Sequence, residues 1–435
     1  MTDTAAQSSI KIKLFLMMIL EIAIWGAWQI KIFSYMGMLG FSAGQQGLVG
    51  SVFGIASLVG IFFSNQFADR NFSAERFLAF SHLVGGLALI GTAFSHELVP
   101  HFGAVQQALV SAGMGGMFTP EFTPFFICFL LYGLLYVPTI SVTNSLAFAN
   151  LKDPAKDFGF VRMGGTIGWI IVSWPFIFLL SEKAGAAETK WVFIVAGIIS
   201  FVLAVFSLTL PHTPPRKDVE GMDKVAWLKA LKLLGTPFVL VLFIVTFIDS
   251  TIHNGYFVVI DGFLQKVGIS ANMSMVVSSI GQVAEIVTML ILGTVLKKLG
   301  WKTTLIIGIF GHAARFGVFA FFGTPDNAWL IIAIQVLHGI CYAFYFVTVY
   351  IFVDAVFPKD IRSSAQGLFN LLILGVGMVV ASQVFPRLAA HYTVNGLVDY
   401  KQLFLVPSGL ALLGIVLLAL FFRPPTHGPE GEVKH

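Results

Sequence analysis

Apolar windows of roughly 20 residues recur along the whole chain, each bounded by a short polar or Gly/Pro-containing stretch. In order, they predict spans near 14–35, 44–66, 77–95, 124–148, 158–181 and 190–210, then 237–259, 272–296, 303–323, 327–353, 363–387 and 401–422. Each can cross a hydrocarbon core of about 30 Å as a helix, the form in which a single segment satisfies its own backbone hydrogen bonds. From Pro211 to about Pro237 the hydrophobicity is interrupted by Pro214, Pro215, Arg216, Lys217, Lys224, Lys229 and Lys232. The expected plan is an all-α membrane protein of twelve transmembrane helices. Its two six-helix halves, 1–210 and 237–435, are joined by a linker over 211–236.

Composition agrees with that pattern. Hydrophobic residues make up 57% of the 435 positions and charged residues 11%, with a mean hydropathy of +0.87. Soluble domains carry roughly 25% charged residues. The pI near 8.9 reflects topology and not nucleic acid, because the cations are scattered among loops. Alternate connections place Lys11, Lys13, Arg70, Arg76, Lys152, Lys156, the linker cluster, Lys297, Lys298, Lys302, Lys359, Arg362, Arg423 and Lys434 on one side. Lys31, Lys183, Lys190, Lys266, Arg387 and Lys401 fall on the other, and the long loop 96–123 has no Lys or Arg. By the positive-inside rule both termini and the linker are expected in the cytoplasm. The first apolar run ends without a small-residue cleavage site and is expected to remain as the first span. Cys128 and Cys341 lie inside apolar windows and support neither a disulfide framework nor a thiolate metal site.

Polar residues inside these spans are the candidates for function, since a charge at the bilayer centre costs about 3 kcal/mol on insertion scales. Gln282 and Glu285, three apart near the middle of 272–296, present an amide and a carboxylate on one helical face. The amide matches the imide or amidine edge of a nucleobase, though an interhelical packing bond of around 0.6 kcal/mol is the plain alternative. Glu285 can accept from sugar hydroxyls, carry a proton, or pair with a neighbouring cation. Arg162, Thr166 and Trp169 follow i, i+4, i+7 spacing and put a guanidinium, a hydroxyl and an indole on one face. Arg162 lies near a helix end, from which it can also snorkel to water. Asp249 and His253 share a face with Tyr256 one turn on, and both groups are chemically able to handle protons. A satisfied interhelical histidine is an equal reading for His253 and for His338. Trp25 and Trp28 either line a cavity or pack the first span, while Gly164, Gly165 and Gly168 allow close helix approach. No GxxxxGK[ST] loop, HExxH or paired metal-ligand spacing occurs, so neither an ATP-driven pump nor a metalloenzyme is indicated; no cofactor or metal is expected.

Six spans, a basic linker and six spans resemble the major facilitator superfamily, whose two halves rock about a midplane site. NQFADRNFSAER at 65–76, with Asp69 and Arg70, looks like a degenerate form of that superfamily's loop between helices two and three, and LKKLGWK at 296–302 is its counterpart. Five further segments resemble the bacterial nucleoside:proton symporter family in the same order: IWGAW at 24–28, YVPTISVTNSLAF at 136–148, VRMGGTIGW at 161–169, GQVAE at 281–285 and IRSSAQGLF at 361–369. The resemblance spans nearly the whole chain. It implies import of a nucleoside with a proton across the cell inner membrane, by a carrier and not an enzyme. It places substrate contacts on Arg162, Thr166, Trp169, Gln282 and Glu285, with Asn254 and Phe257 in helix seven and His338 and Tyr342 in helix ten.

Two departures stand out. Phe257 is apolar where the family pair is polar, and Ala343 stands where an aspartate is expected. Glu285, Asp249 and His253 are therefore the proton-coupling candidates. Helix nine is usually peripheral in this fold, which assigns His312 and Arg315 to structure. The expected partners are nucleoside, protons and the lipid bilayer, with no nucleic acid, and a monomer is expected. The alternatives are a facilitator-fold carrier of another neutral polyol, such as a sugar, and a membrane sensor or enzyme without flux.

Overall fold

The computed structural model describes residues 2–63, 71–215, 231–357 and 359–424. Asp69 and Arg70 of the loop motif, the linker cations from Arg216 to Lys229, and Lys434 lie outside the described residues.

The chain divides into two compact units, Met1–Asp218 with Ser270–Val276, and Val219–Ile269 with Val277–His435. Nearly all ordered structure is helical, and among the described residues nine helices are long and apolar enough to cross a membrane. The small exception is a two-residue hairpin in which Thr393 pairs with Val398 and Val394 with Leu397. Its Asn395-Gly396 turn has φ of 52° and 77°, the left-handed pair that Asn-Gly accepts most readily.

The first unit contains α1 (Thr2–Gly26), α2 (Ile32–Met38), α3 (Ala43–Phe63), α4 (Ala74–Ala93), α5 (Phe122–Asn150), α6 (Pro154–Ser173) and α7 (Trp191–Ser207). The first expected span is not one helix. It breaks between Gly26 and Ile32, where Lys31 N–H bonds the Trp28 carbonyl in a tightened turn. Trp28 there donates from Nε1 to the Tyr132 hydroxyl at 3.0 Å, an anchor that apolar periodicity does not reveal. α6 starts at Asp153, whose carboxylate caps the Lys156 N–H, followed by Pro154 at the first helical position. Gly164 and Gly168 then lay α6 against the backbone of α1, where any side chain would meet the carbonyls of Phe15 and Ile19. Those glycines serve helix packing, as their spacing indicates.

The second unit contains α8 (Pro237–Lys266), α9 (Ser274–Phe322) from Val277 onward, α10 (Pro325–Val356), α11 (Ala365–His391) and α12 (Tyr400–Phe421). Two expected spans, 272–296 and 303–323, form the limbs of α9 on either side of Gly300, which adopts φ 71°, ψ 175°. A β-carbon is disfavoured in that conformation, so glycine marks the break. π-helical turns interrupt α10 at Tyr342–Val347 and α11 at Leu371–Val376. Such turns often mark functional positions, because the extra residue re-aims neighbouring side chains.

Candidate functional site

In the first unit the candidate face lies on α6. Trp169 is buried and meets Trp25 edge-on, with ring centroids 5.7 Å apart. Gly26 allows this approach, since a β-carbon there would sit 3.1 Å from the Trp169 ring. Trp25 in turn donates from Nε1 to Gln29 Oε1 at 2.9 Å. Arg162 and Thr166 are half-buried on the same helix, and the Arg162 guanidinium interacts electrostatically with Tyr136 of α5. The face thus combines a cationic fork, a hydroxyl and an aromatic pair, chemistry suited to hydroxyls and a flat ring.

Behind it is a buried polar network that the sequence reading did not single out. Glu21 of α1 is 1% exposed; its Oε1 accepts from Thr139 at 2.7 Å and its Oε2 lies 2.9 Å from His82 Nε2. The Tyr136 hydroxyl donates to the Glu21 carbonyl at 2.6 Å, and Ser200 Oγ donates to the His82 carbonyl at 2.8 Å. The available signal was an acid, Glu21, inside the apolar window 14–35 and a histidine, His82, inside 77–95.

In the second unit the two candidate sets converge on α8, α9 and α10. Gly281 and Gly339 bring the first limb of α9 and α10 together: a β-carbon on Gly281 would stand 2.8 Å from the His338 β-carbon, and one on Gly339 would strike the backbone of Glu285. This crossing places Gln282 and Glu285 beside His338. Gln282 is buried, and its Oε1 finds no donor among the described residues, whereas Glu285 is half-buried. A buried amide acceptor left to itself costs about 1–3 kcal/mol, so the site favours any occupant that donates there. His338 stacks against His253 with centroids 4.8 Å apart, and Phe257, Tyr256 and Tyr342 complete an aromatic wall around these imidazoles. Asn254 is half-buried and turns its amide back to the Ser250 carbonyl at 2.8 Å. Phe257 packs in this wall, which explains how an apolar residue can replace a polar one there.

Asp249 and His253 belong to a larger charged cluster. Asp249 Oδ1 lies 2.8 Å from His312 Nδ1, both side chains being fully buried. Arg315, one turn along α9, is fully buried too; its Nη1 donates to His338 Nδ1 at 2.6 Å and its guanidinium lies 4.1 Å from the centre of the Tyr256 ring. Tyr256 donates to Gln335 Oε1 at 2.9 Å. Ala343 is fully buried and carries no ionisable group. His312 and Arg315 thus join α9 to the residues of α8 and α10.

Comparisons with known proteins extend these observations. A family described as "Nucleoside H+ symporter" matches residues 8–112 and 107–427. The YegT protein of Escherichia coli (strain K12) is 32% identical over 424 residues, covering 94% of this chain and 93% of the relative. The xanthosine permease of the same organism is 27% identical over 444 residues, covering 98% and 99%. The crystal structure of the nucleoside transporter NupG superposes with a TM-score of 0.79 at 24% identity, covering 96% of this chain and 100% of that one. The fold is therefore that of a major facilitator transporter, and the chain belongs to the nucleoside H+ symporter family.

Proposed function

We propose that the protein imports nucleosides together with protons across the cell inner membrane by alternating access, in twelve spans with both termini cytoplasmic. The halves 1–210 and 237–435 would move as units about the linker 211–236, and the working unit is a monomer. In this reading Arg162, Thr166 and Trp169 of the first unit and Asn254, Phe257, Gln282, Glu285, His338 and Tyr342 of the second contact substrate. The base meets Gln282, Trp169 and Tyr342; the sugar meets Glu285, Arg162 and Asn254. Glu285, Asp249 and His253 are the groups from which proton coupling is drawn, in the absence of a carboxylate at Ala343.

The observation that carries this reading is the buried Gln282 amide beside Glu285, in a chain whose family carries nucleosides with protons. An amide presents a donor and an acceptor together, and a nucleobase edge answers with both; a sugar gives no flat partner for the neighbouring rings. The test is uptake by proteoliposomes. An inward-directed proton gradient drives accumulation of labelled nucleoside, and unlabelled uridine or adenosine competes. Accumulation of a labelled sugar that neither nucleoside inhibits, with no nucleoside uptake, refutes the reading.

A further inference from the structure

We propose that the Asp249–His312 pair, on α8 and the second limb of α9, holds the transported proton, and that Arg315 relays its occupancy to His338. The inference rests on the symport reading above and gives the proton a seat on the second limb of α9, whereas Gln282 and Glu285 lie on the first.

The tautomers follow from the contacts. A guanidinium only donates, so Arg315 Nη1 against His338 Nδ1 makes that nitrogen an acceptor and leaves His338 neutral with its hydrogen on Nε2. With Asp249 ionised its carboxylate only accepts, so in that state His312 donates from Nδ1 to Asp249 Oδ1 and keeps an unprotonated Nε2. That Nε2 and Asp249 Oδ2 are buried without a hydrogen-bond partner among the described residues. They are open positions of the cluster, as are Nε and Nη2 of Arg315. His253 Nδ1 is likewise unpartnered, and its ring lies 5.7 Å from His312 and 4.8 Å from His338.

The proton account closes. Empty, the pair carries one negative charge, which the Arg315 cation balances. A proton taken from outside onto His312 Nε2 makes the pair neutral, and its release to the cytoplasm restores the starting charge. While the proton is bound, Arg315 has lost its net counter-charge in a dry surrounding where such imbalance is costly. Its hydrogen bond to His338 is the contact through which any readjustment reaches the Gln282–Glu285 crossing. The other groups facing the cluster are Cys341 and Tyr345 of α10, which interact electrostatically with Asp249, and Tyr256 of α8 against Arg315. From the last two helices, Phe385 lies against Gly255 and Phe404 stacks on Phe316, while Ser408 donates to the Ala313 carbonyl and the Leu372 carbonyl accepts from Ser250, groups that carry no charge.

The experiment separates two activities in proteoliposomes: accumulation driven by a proton gradient, and nucleoside counterflow, which needs no net proton movement. In His312→Gln and Asp249→Asn, accumulation is expected to fall at least tenfold. Counterflow should stay within about threefold of wild type and lose its pH dependence. Full accumulation in either variant, or equal loss of both activities in protein that remains monodisperse, overturns the proposal. Should neither variant fold, wild-type protein with 15N-labelled histidine rings decides by magnetic resonance. An imidazole that becomes imidazolium over the pH range in which counterflow changes supports the assignment, and its absence overturns it. Wild-type protein that exchanges no nucleoside would refute the symport reading itself, a separate outcome.

Discussion

Asp249 and His312 meet across 2.8 Å with neither side chain exposed, a carboxylate and an imidazole that share one hydrogen in the interior of the second unit. The corresponding arrangement in the first unit is Glu21 and His82, 2.9 Å apart and equally dry. Each unit thus sets a buried acid against a buried histidine. In the first pair Thr139 donates to Glu21 Oε1 while Glu21 Oε2 and His82 Nε2 make no hydrogen bond among the described residues; in the second Asp249 Oδ2 and His312 Nε2 are open and a guanidinium stands nearby.

Removing the amide of Gln282 tests the substrate site. Gln282→Ala is expected to weaken nucleoside binding about tenfold, equivalent to about 1.4 kcal/mol, by removing a donor and an acceptor of ordinary hydrogen-bond strength. Titration of purified protein with a nucleoside panel measures it. Unchanged affinity for every member would remove Gln282 from the site.

Arg162 is expected to act through its planar fork and not through charge alone. Arg162→Lys keeps the cation but loses paired donation, so uptake should fall at least severalfold, with Arg162→Ala lower still. Initial rates at fixed proton gradient give the comparison; if lysine supports wild-type rates, the residue only snorkels or balances charge.

The glycine crossing of α9 and α10 is expected to tolerate no side chain. Gly339→Ala drives a methyl into the Glu285 backbone and should lower the thermal midpoint, in line with the 1–3 kcal/mol of typical overpacking, and abolish uptake. Gly293→Ala on the same limb of α9 meets nothing within 4 Å and should be neutral or slightly stabilising. Equal melting of the two variants in detergent would contradict this packing.

Glu21 is expected to matter to stability through its partners. Glu21→Ala leaves His82 Nε2 facing no acid in a dry interior and should cost about 3–5 kcal/mol, the scale of a broken buried pair. Glu21→Gln keeps an acceptor for Thr139 and should cost clearly less. By contrast Lys11→Ala removes a half-exposed partner of Asp157 and should cost no more than about 1 kcal/mol. Thermal unfolding of the three variants ranks them.

The hydrophobic pattern alone determined that the chain is a helical membrane protein, because a spanning segment must be long, apolar and internally hydrogen-bonded wherever it later packs. The i, i+4, i+7 spacing put Arg162, Thr166 and Trp169 on one face, and i, i+3 did the same for Gln282 and Glu285, since helical geometry is local. Only tertiary structure decided that α1 breaks before Ile32, where Trp28 finds Tyr132. It likewise decided that His312 and Arg315 meet Asp249 and His338, residues 63 and 23 positions away along the chain. Periodicity records which face of a helix is polar, whereas a pairing depends on which helix is laid against it. In this protein glycines at 281 and 339 set that choice, and their meaning appears only once both helices are in place.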